Sequence, residues 1–227
     1  RQWQGLRIPL RFGDSMNRRW WWNSEVKATR RSRLVGPLYP ADGMAFKDET
    51  GPVLPVFCHA GDLLALYSIN HVWALTELDT IADAGYDGVR TWTWLDGSYW
   101  HDRMVRPLAP TFTHQYWRRV AEFAESLRTR GLRWMVSQGD MLRFAPDRYA
   151  FMRQLASVLR DCGGLEVVAT VDAGNEAWKN GEDNPDRLRI SVEAFRDVLD
   201  VPIWSLTSPD GEEKAGLDRY SGSVYDV

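Results

Sequence analysis

The stretch Val167–Trp178 joins an apolar run to residues that could do acid–base chemistry. Its sequence, VVATVDAGNEAW, leads from β-branched and small residues directly into Asn175 and Glu176. A carboxylic acid placed there can protonate a leaving group and then act as a base on water, provided that a partly buried site raises its pKa. The alternative is structural, with Asn175 and Glu176 in a loop that caps the next helix.

A second distinctive stretch is the predicted strand GVRTWTW. Because side chains alternate along a strand, Arg90, Trp92 and Trp94 share one face. A buried charge needs a partner, and counting back by twos from Glu176 puts Asp172 on the face of that glutamate. Asp172 is therefore the expected partner of Arg90, and a purely structural pair and a functional one both remain open.

Alternating strands and helices must position these residues. From about residue 51, apolar β-branched runs alternate with helical stripes, and a glycine closes each of the first three helices. The predicted strands are 53–59, 88–94, 132–137, 165–173, 201–206 and, at its opening, 223–227. The predicted helices are 71–84, 113–130, 147–160 and 186–199. Such alternation predicts a parallel sheet covered by helices.

The lengths of the connections favour a (β/α)₈ TIM barrel over a doubly wound open sheet. Long links, 96–112 and 138–146, follow strands, where a barrel builds its active-site face. A doubly wound sheet would usually carry a Gly-rich phosphate loop, and this sequence has neither that loop nor a GxSxG motif. About six strands can be counted where a barrel has eight. We therefore predict an α/β barrel that is incomplete in this chain and truncated before strand seven.

The ending of the fourth predicted strand resembles that of clan A glycoside hydrolases, the cellulase and mannanase group. In that group an Asn-Glu pair ends strand four, so the resemblance implies that Glu176 is the catalytic acid/base. It also implies that Asn175 hydrogen-bonds the 2-hydroxyl group of the sugar. GVRTWTW resembles the group's Val-Arg second strand, which implies that Arg90 lies beside the nucleophile and holds it ionised.

The resemblance covers roughly residues 51–227 and extends to weaker features of a substrate cleft. Trp94 shares the face of Arg90, and Trp178 lies just past Glu176. The resemblance implies that both side chains bind substrate in the cleft. Gln138, which follows the third strand, is expected to contact sugar hydroxyls. Each of these side chains could equally serve to structure its loop.

A retaining glycosidase needs a second carboxylate about 5–5.5 Å from the first. The clan A nucleophile is a glutamate at the end of strand seven, which we expect to be missing from this chain. Glu212 and Glu213 lie in PDGEEKAG, which is typical of a solvated loop. The sequence thus predicts a retaining hydrolase of β-linked oligo- or polysaccharides that is inactive as the 227-residue chain alone. The alternative is a catalytically silent barrel that binds glycan or forms a structural part of a larger assembly.

Charge is unevenly distributed along the chain. Residues 1–35 carry nine basic and two acidic residues, a net charge of +7, whereas the whole chain has −3. We predict a Trp- and Arg-rich arm at 1–50 and a barrel at 51–227. The arm is expected to dock on its own barrel or on an acidic surface or partner chain. Nucleic acid is a weak alternative because no binding motif accompanies the charge.

Composition excludes several other classes. No run approaches the ~20 apolar residues that a membrane span needs. The N-terminus lacks a signal-peptide pattern and an initiator Met, so we interpret the chain as a mature or cut piece whose N-terminus does not give its compartment. The localisation stays open, with an extracellular location or a place in a larger assembly favoured over the cytoplasm. Cysteines and histidines form no disulfide framework or metal motif, and we predict neither a metal nor a cofactor. Twelve tryptophans suit a core, an interface or the stacking of sugar rings.

Overall fold

A computed structural model describes residues 36–40, 46–93, 114–137, 147–172, 185–199 and 203–204. An antiparallel sheet contains β1 (Tyr39–Pro40), β2 (Phe46–Asp48) and β3 (Gly51–Val53). A parallel sheet contains β4 (Phe57–His59), β5 (Gly88–Trp92), β6 (Arg133–Ser137), β7 (Val168–Asp172) and β8 (Ile203–Trp204). The α-helices are α1 (Leu63–Ile69), α2 (His71–Asp83), α3 (His114–Arg128), α4 (Arg148–Asp161) and α5 (Pro185–Arg196), and Gly164–Glu166 is a 3₁₀ helix.

The parallel strands lie side by side in chain order, from β4 to β8. A doubly wound sheet reverses its strand order at a switch point, and the described strands show no such reversal. Helices connect successive strands of this sheet. The prediction of an α/β barrel that is incomplete in this chain is confirmed, with five parallel strands in the described residues and the predicted strand at 223–227 outside them.

One face of the parallel sheet is packed beneath the helices. Val89 on β5 pairs in register with Trp134 on β6, and both are fully buried. The Trp134 ring meets the ring of Phe123 on α3 edge to face, with centroids 5.0 Å apart. Its indole N–H donates to Thr91 Oγ1 over 2.9 Å, so the polar atom of this buried tryptophan has a partner. This packing leaves the opposite side chains of β5, β6 and β7 for the barrel interior.

Helix ends agree with the predicted stop signals. The first three predicted helices are each followed by a glycine with positive φ, at Gly85, Gly131 and Gly163, a conformation that ends a helix at little cost for glycine. Asp147 begins α4 by accepting a hydrogen bond from the backbone N–H of Ala150 over 2.8 Å. These local signals make the links from helix to strand short.

The predicted strand 53–59 is wrong as a single element. Its first residue ends β3 in the antiparallel sheet, and its last three residues form β4 in the parallel sheet. Between them Leu54 and Val56 are 78% and 50% exposed. Pro55 lies at the break, where it has no backbone N–H to give to a sheet. The apolar run therefore contributes to two sheets rather than one.

Two further details of the helical and strand pattern differ from prediction. The helical spacing of apolar residues in 71–84 predicts that Val72 lies on the buried stripe of α2, but Val72 is 75% exposed and Ala74 takes the buried position. The strand predicted from residue 165 begins later, at Val168, because the chain first makes the 3₁₀ helix Gly164–Glu166.

A buried ion pair joins the antiparallel sheet to the amino end of β6. Arg133 Nη2 lies 3.2 Å from Asp48 Oδ2, and the two side chains are 1% and 5% exposed. Arg133 Nη1 also donates to the carbonyl oxygen of Gly36 over 3.0 Å. Burial lowers the pKa of Arg133, and the Asp48 carboxylate opposes that shift. The described part of the predicted arm thus contacts the barrel. Residues 1–35 lie outside the described residues, so the division into an arm and a barrel, and an acidic partner for the arm, stay predictions.

We expect Asp48→Ala to lower the free energy of unfolding by about 3–5 kcal/mol, because it leaves the Arg133 charge buried without its partner. Urea denaturation would measure the loss. Asp79→Ala is the matched control, since Asp79 also pairs with an arginine, Arg130, at 2.8 Å but is 60% exposed. Its loss should be about 1 kcal/mol or less. Equal losses in the two variants would show that the Asp48 pair does not anchor the antiparallel sheet.

Candidate active site

The carboxyl ends of β5, β6 and β7 bring polar side chains together in the barrel interior. Trp92 pairs in register with Ser137, and Ser137 pairs with Asp172. Strand alternation puts Arg90 on the same face as Trp92. A register shift in the β6–β7 pairing falls between Trp134 and Met135, so it lies before these strand ends and leaves their shared face intact.

Arg90, Ser137 and Asp172 form a buried cluster. Arg90 Nη2 lies 2.7 Å from Asp172 Oδ2, with the arginine side chain 12% exposed and the aspartate fully buried. Ser137 Oγ donates to the same carboxylate oxygen over 2.8 Å and accepts from Arg90 Nη2 at 3.3 Å. Charge-assisted hydrogen bonds of this kind are stronger than neutral ones. The cluster therefore holds the guanidinium of Arg90 in place, and the predicted pairing with Asp172 is confirmed as a contact.

His59 and Trp92 extend this cluster toward the first parallel strand. His59 ends β4 and is exposed, and its Nδ1 lies 3.3 Å from Arg90 Nη1. The imidazole meets the indole of Trp92 edge to face, with centroids 5.6 Å apart. Partial burial of the imidazole lowers the pKa of His59, the nearby Arg90 charge lowers it further, and the carboxylates of Asp62 and Asp172 oppose these shifts. The imidazole is therefore held in its neutral form around neutral pH.

The backbone beyond β4 continues alongside β5 and supports the Trp92 ring. Ala60 N–H donates to Arg90 O, and Trp92 N–H donates to Gly61 O, each over 2.9 Å. A Cβ atom on Gly61 would lie 2.9 Å from Trp92 Cε3, closer than nonbonded carbon atoms pack. Glycine at this position lets the indole lie against the backbone beside His59.

Most residues of the predicted site lie outside the described residues: Glu176, Asn175, Trp94, Trp178 and Gln138. In sequence, Glu176 comes four residues after the end of β7, and Gln138 comes directly after β6. Their roles stay predictions. The structure describes the strand ends from which these residues continue, and in a TIM barrel that end of the strands carries the active site.

Sequence reasoning did not predict that Ser137 and His59 belong to this site. Both are the last residues of described parallel strands. Ser137 ends the predicted strand 132–137, next to Gln138, and this position could have indicated that its side chain belongs to the site. Its contact with Asp172 depends on the register between β6 and β7, which period-two alternation within one strand does not give.

Neither a metal site nor a membrane span is found in the part of the chain that the structure describes. There, no three His, Cys, Asp or Glu side chains are grouped so that they could hold a metal ion. None of the helices in that part combines the length and the apolar character required to cross a membrane.

Comparisons with known proteins find similar solved structures but no match in sequence. No family model matches the chain, and no curated protein is similar enough to match. An exo-β-1,4-mannosidase from Opitutaceae bacterium strain TAV5 is 18% identical with a TM-score of 0.54, over 74% of this chain and 34% of the mannosidase. A glycoside hydrolase family 5 structure from Bacteroides vulgatus is 14% identical with a TM-score of 0.55, over 77% of this chain and 40% of its own.

The catalytic domain of a mannanase from Streptomyces sp. SirexAA-E is similar to a larger share of the chain. It is 16% identical with a TM-score of 0.55, over 85% of this chain and 58% of the mannanase domain. The chain thus spans between about a third and three fifths of the length of these three structures. At such identities the likeness is one of fold. The chain shares the barrel fold of part of these glycoside hydrolase structures.

Proposed function

We propose that this chain is the first part of a retaining glycosidase for β-linked glycans, with Glu176 as the general acid/base. One observation carries the proposal. The buried ion pair joins Arg90, in the middle of the second parallel strand, to Asp172, the last residue of the fourth. An Asn-Glu pair follows Asp172 at a separation of only three and four residues. The glycoside hydrolase fold supports this reading of the site.

In the proposed first step, the Glu176 carboxylic acid protonates the glycosidic oxygen while a carboxylate attacks the anomeric carbon. The bond to the leaving group breaks, and a covalent glycosyl–enzyme ester forms. In the second step, the Glu176 carboxylate removes a proton from water as that water attacks the anomeric carbon. The ester bond breaks and frees the nucleophile, so that two displacements retain the configuration.

The nucleophile is proposed to be a glutamate on strand seven, beyond residue 227. Arg90 would stabilise its ionised form, and Asp172 and Ser137 hold the guanidinium in place for that role. Asn175 is proposed to bind the 2-hydroxyl group. Trp94, Trp178 and Gln138 are proposed to line the substrate cleft.

The test is hydrolysis by the protein that contains this chain together with the remaining barrel strands. Aryl β-glucosides, aryl β-mannosides and β-1,4-linked gluco- and manno-oligosaccharides would be assayed, with the anomeric configuration of the first product read by NMR. We expect hydrolysis with retention, and no hydrolysis by residues 1–227 alone. Inversion would contradict the two-step mechanism, and glycan binding without hydrolysis would favour a silent glycan-binding barrel.

A further inference from the structure

His59 is held from two sides at the open end of the barrel interior. Arg90 contacts its Nδ1 at 3.3 Å, and the ring edge packs against the indole of Trp92. The side chain is nevertheless exposed. A histidine with a fixed ring and an exposed surface can present its second nitrogen in a defined direction.

The contact with Arg90 determines the tautomer of His59. A guanidinium group has only donors, so Nδ1 must accept and cannot carry a proton. The ring proton of the neutral imidazole is therefore on Nε2, on the side of the ring that points away from Arg90. A second proton would place an N–H group against the guanidinium, which agrees with the lowered pKa of His59. His59 thus has a hydrogen-bond donor on the ring nitrogen that does not contact Arg90, in a side chain that is exposed.

We propose that His59 is a substrate-binding residue that donates its Nε2–H to a hydroxyl group of a glycan chain. The inference rests on the proposed function, because it takes a glycan as the ligand. His59 ends the first parallel strand, three strands from β7. At a strand spacing of ~4.8 Å, it lies about 14 Å along the sheet from the strand that precedes Glu176. Its side chain nevertheless reaches Arg90, the partner of Asp172, and we take the bound hydroxyl to belong to the sugar unit next to the one that the nucleophile attacks.

The test compares the kinetics of His59→Phe and His59→Gln in the complete protein. The substrates are the shortest and the longest aryl β-glycosides of one sugar that the wild-type protein cleaves. His59→Phe keeps a ring against Trp92 but removes both nitrogens. We expect it to raise KM for the longest substrate about three- to tenfold, the effect of one hydrogen bond, with a smaller effect on the shortest substrate and on kcat.

His59→Gln should recover most of this loss, because its amide can accept from Arg90 and still donate to a hydroxyl. The KM of the wild-type protein should also rise as the pH falls below the pKa of His59, because a proton on Nδ1 would break the contact with Arg90 that holds the ring in place, and this rise should be missing from His59→Gln. The charged groups that set this pKa are Arg90, Asp62 and Asp172. His114→Phe is the matched control, since His114 is an exposed histidine at the start of α3, and its kinetics should equal those of wild type.

Two results would overturn the inference while leaving the proposed function intact. One is an unchanged KM for the longest substrate in His59→Phe. The other is an equal fall in kcat on both substrates, which would mean that His59 acts only by positioning Arg90. If the wild-type protein hydrolyses none of the substrates, the proposed function fails. The role of His59 is then tested by calorimetric measurement of the binding of the same oligosaccharides. Weaker binding by His59→Phe supports it, and equal or absent binding overturns it.

Discussion

Asp172→Ala should lower the free energy of unfolding by about 3–5 kcal/mol, because it leaves the Arg90 charge in a buried site without its partner. Asp172 is fully buried, and its Oδ2 accepts from both Arg90 and Ser137. Hydrolysis should fall as well, since the guanidinium loses the two groups that fix its position. Urea unfolding and kcat/KM would measure the two effects.

A double variant separates the structural role of this pair from its role in the reaction. Replacing a buried ion pair by apolar residues of similar volume is often neutral for stability, so Arg90→Met with Asp172→Val should recover most of the lost free energy. It should not recover hydrolysis, because no cation remains to stabilise the nucleophile. A double variant with wild-type activity would mean that Arg90 and Asp172 serve only the fold.

Glu176→Gln should reduce kcat about 10²–10⁴-fold on glycans with poor leaving groups, the usual contribution of a general acid/base. The first step on activated aryl glycosides should be nearly unchanged, because those leaving groups need little protonation. Binding should largely survive, since glutamine keeps the shape and hydrogen-bonding capacity of the side chain. Burst and steady-state kinetics on the two substrate classes would measure the difference.

Glu212→Gln is the matched control for this variant. Glu212 belongs to the predicted loop PDGEEKAG, and the same chemical change there should leave both substrate classes unaffected. Equal losses in the two variants would remove Glu176 from the mechanism. Unimpaired cleavage of unactivated glycans by Glu176→Gln would do the same and would favour the binding alternative.

Local sequence patterns predicted the elements that carry this site because they depend on short-range physics. Glycines at the helix ends and alternation along the strands gave the order of strands and helices and the pairing of Arg90 with Asp172. Alternation sets the face of a side chain within one strand. Alternation was enough to predict the Arg90–Asp172 contact because the arginine side chain is long enough to reach a residue two strands away.

Other features depend on tertiary contacts that no local pattern reports. Ser137 and His59 joined the site through the register between strands and the reach of Arg90. The short helix α1 was missed because five consecutive residues of Leu63–Ile69 are buried, which removes the amphipathic stripe by which a helix is recognised. The predicted strand 53–59 failed because its two halves pair with different sheets.

The most direct test of Glu176 as the acid/base is rescue of Glu176→Ala by azide. With an activated aryl β-glycoside, the glycosyl–enzyme ester should still form but should hydrolyse slowly, because no base remains to activate water. Azide needs no such base, and it should attack the anomeric carbon, break the ester and restore turnover. We predict that turnover rises with azide concentration and that NMR identifies the product as the β-glycosyl azide. Turnover independent of azide, or an α-glycosyl azide as product, would contradict the assignment of Glu176.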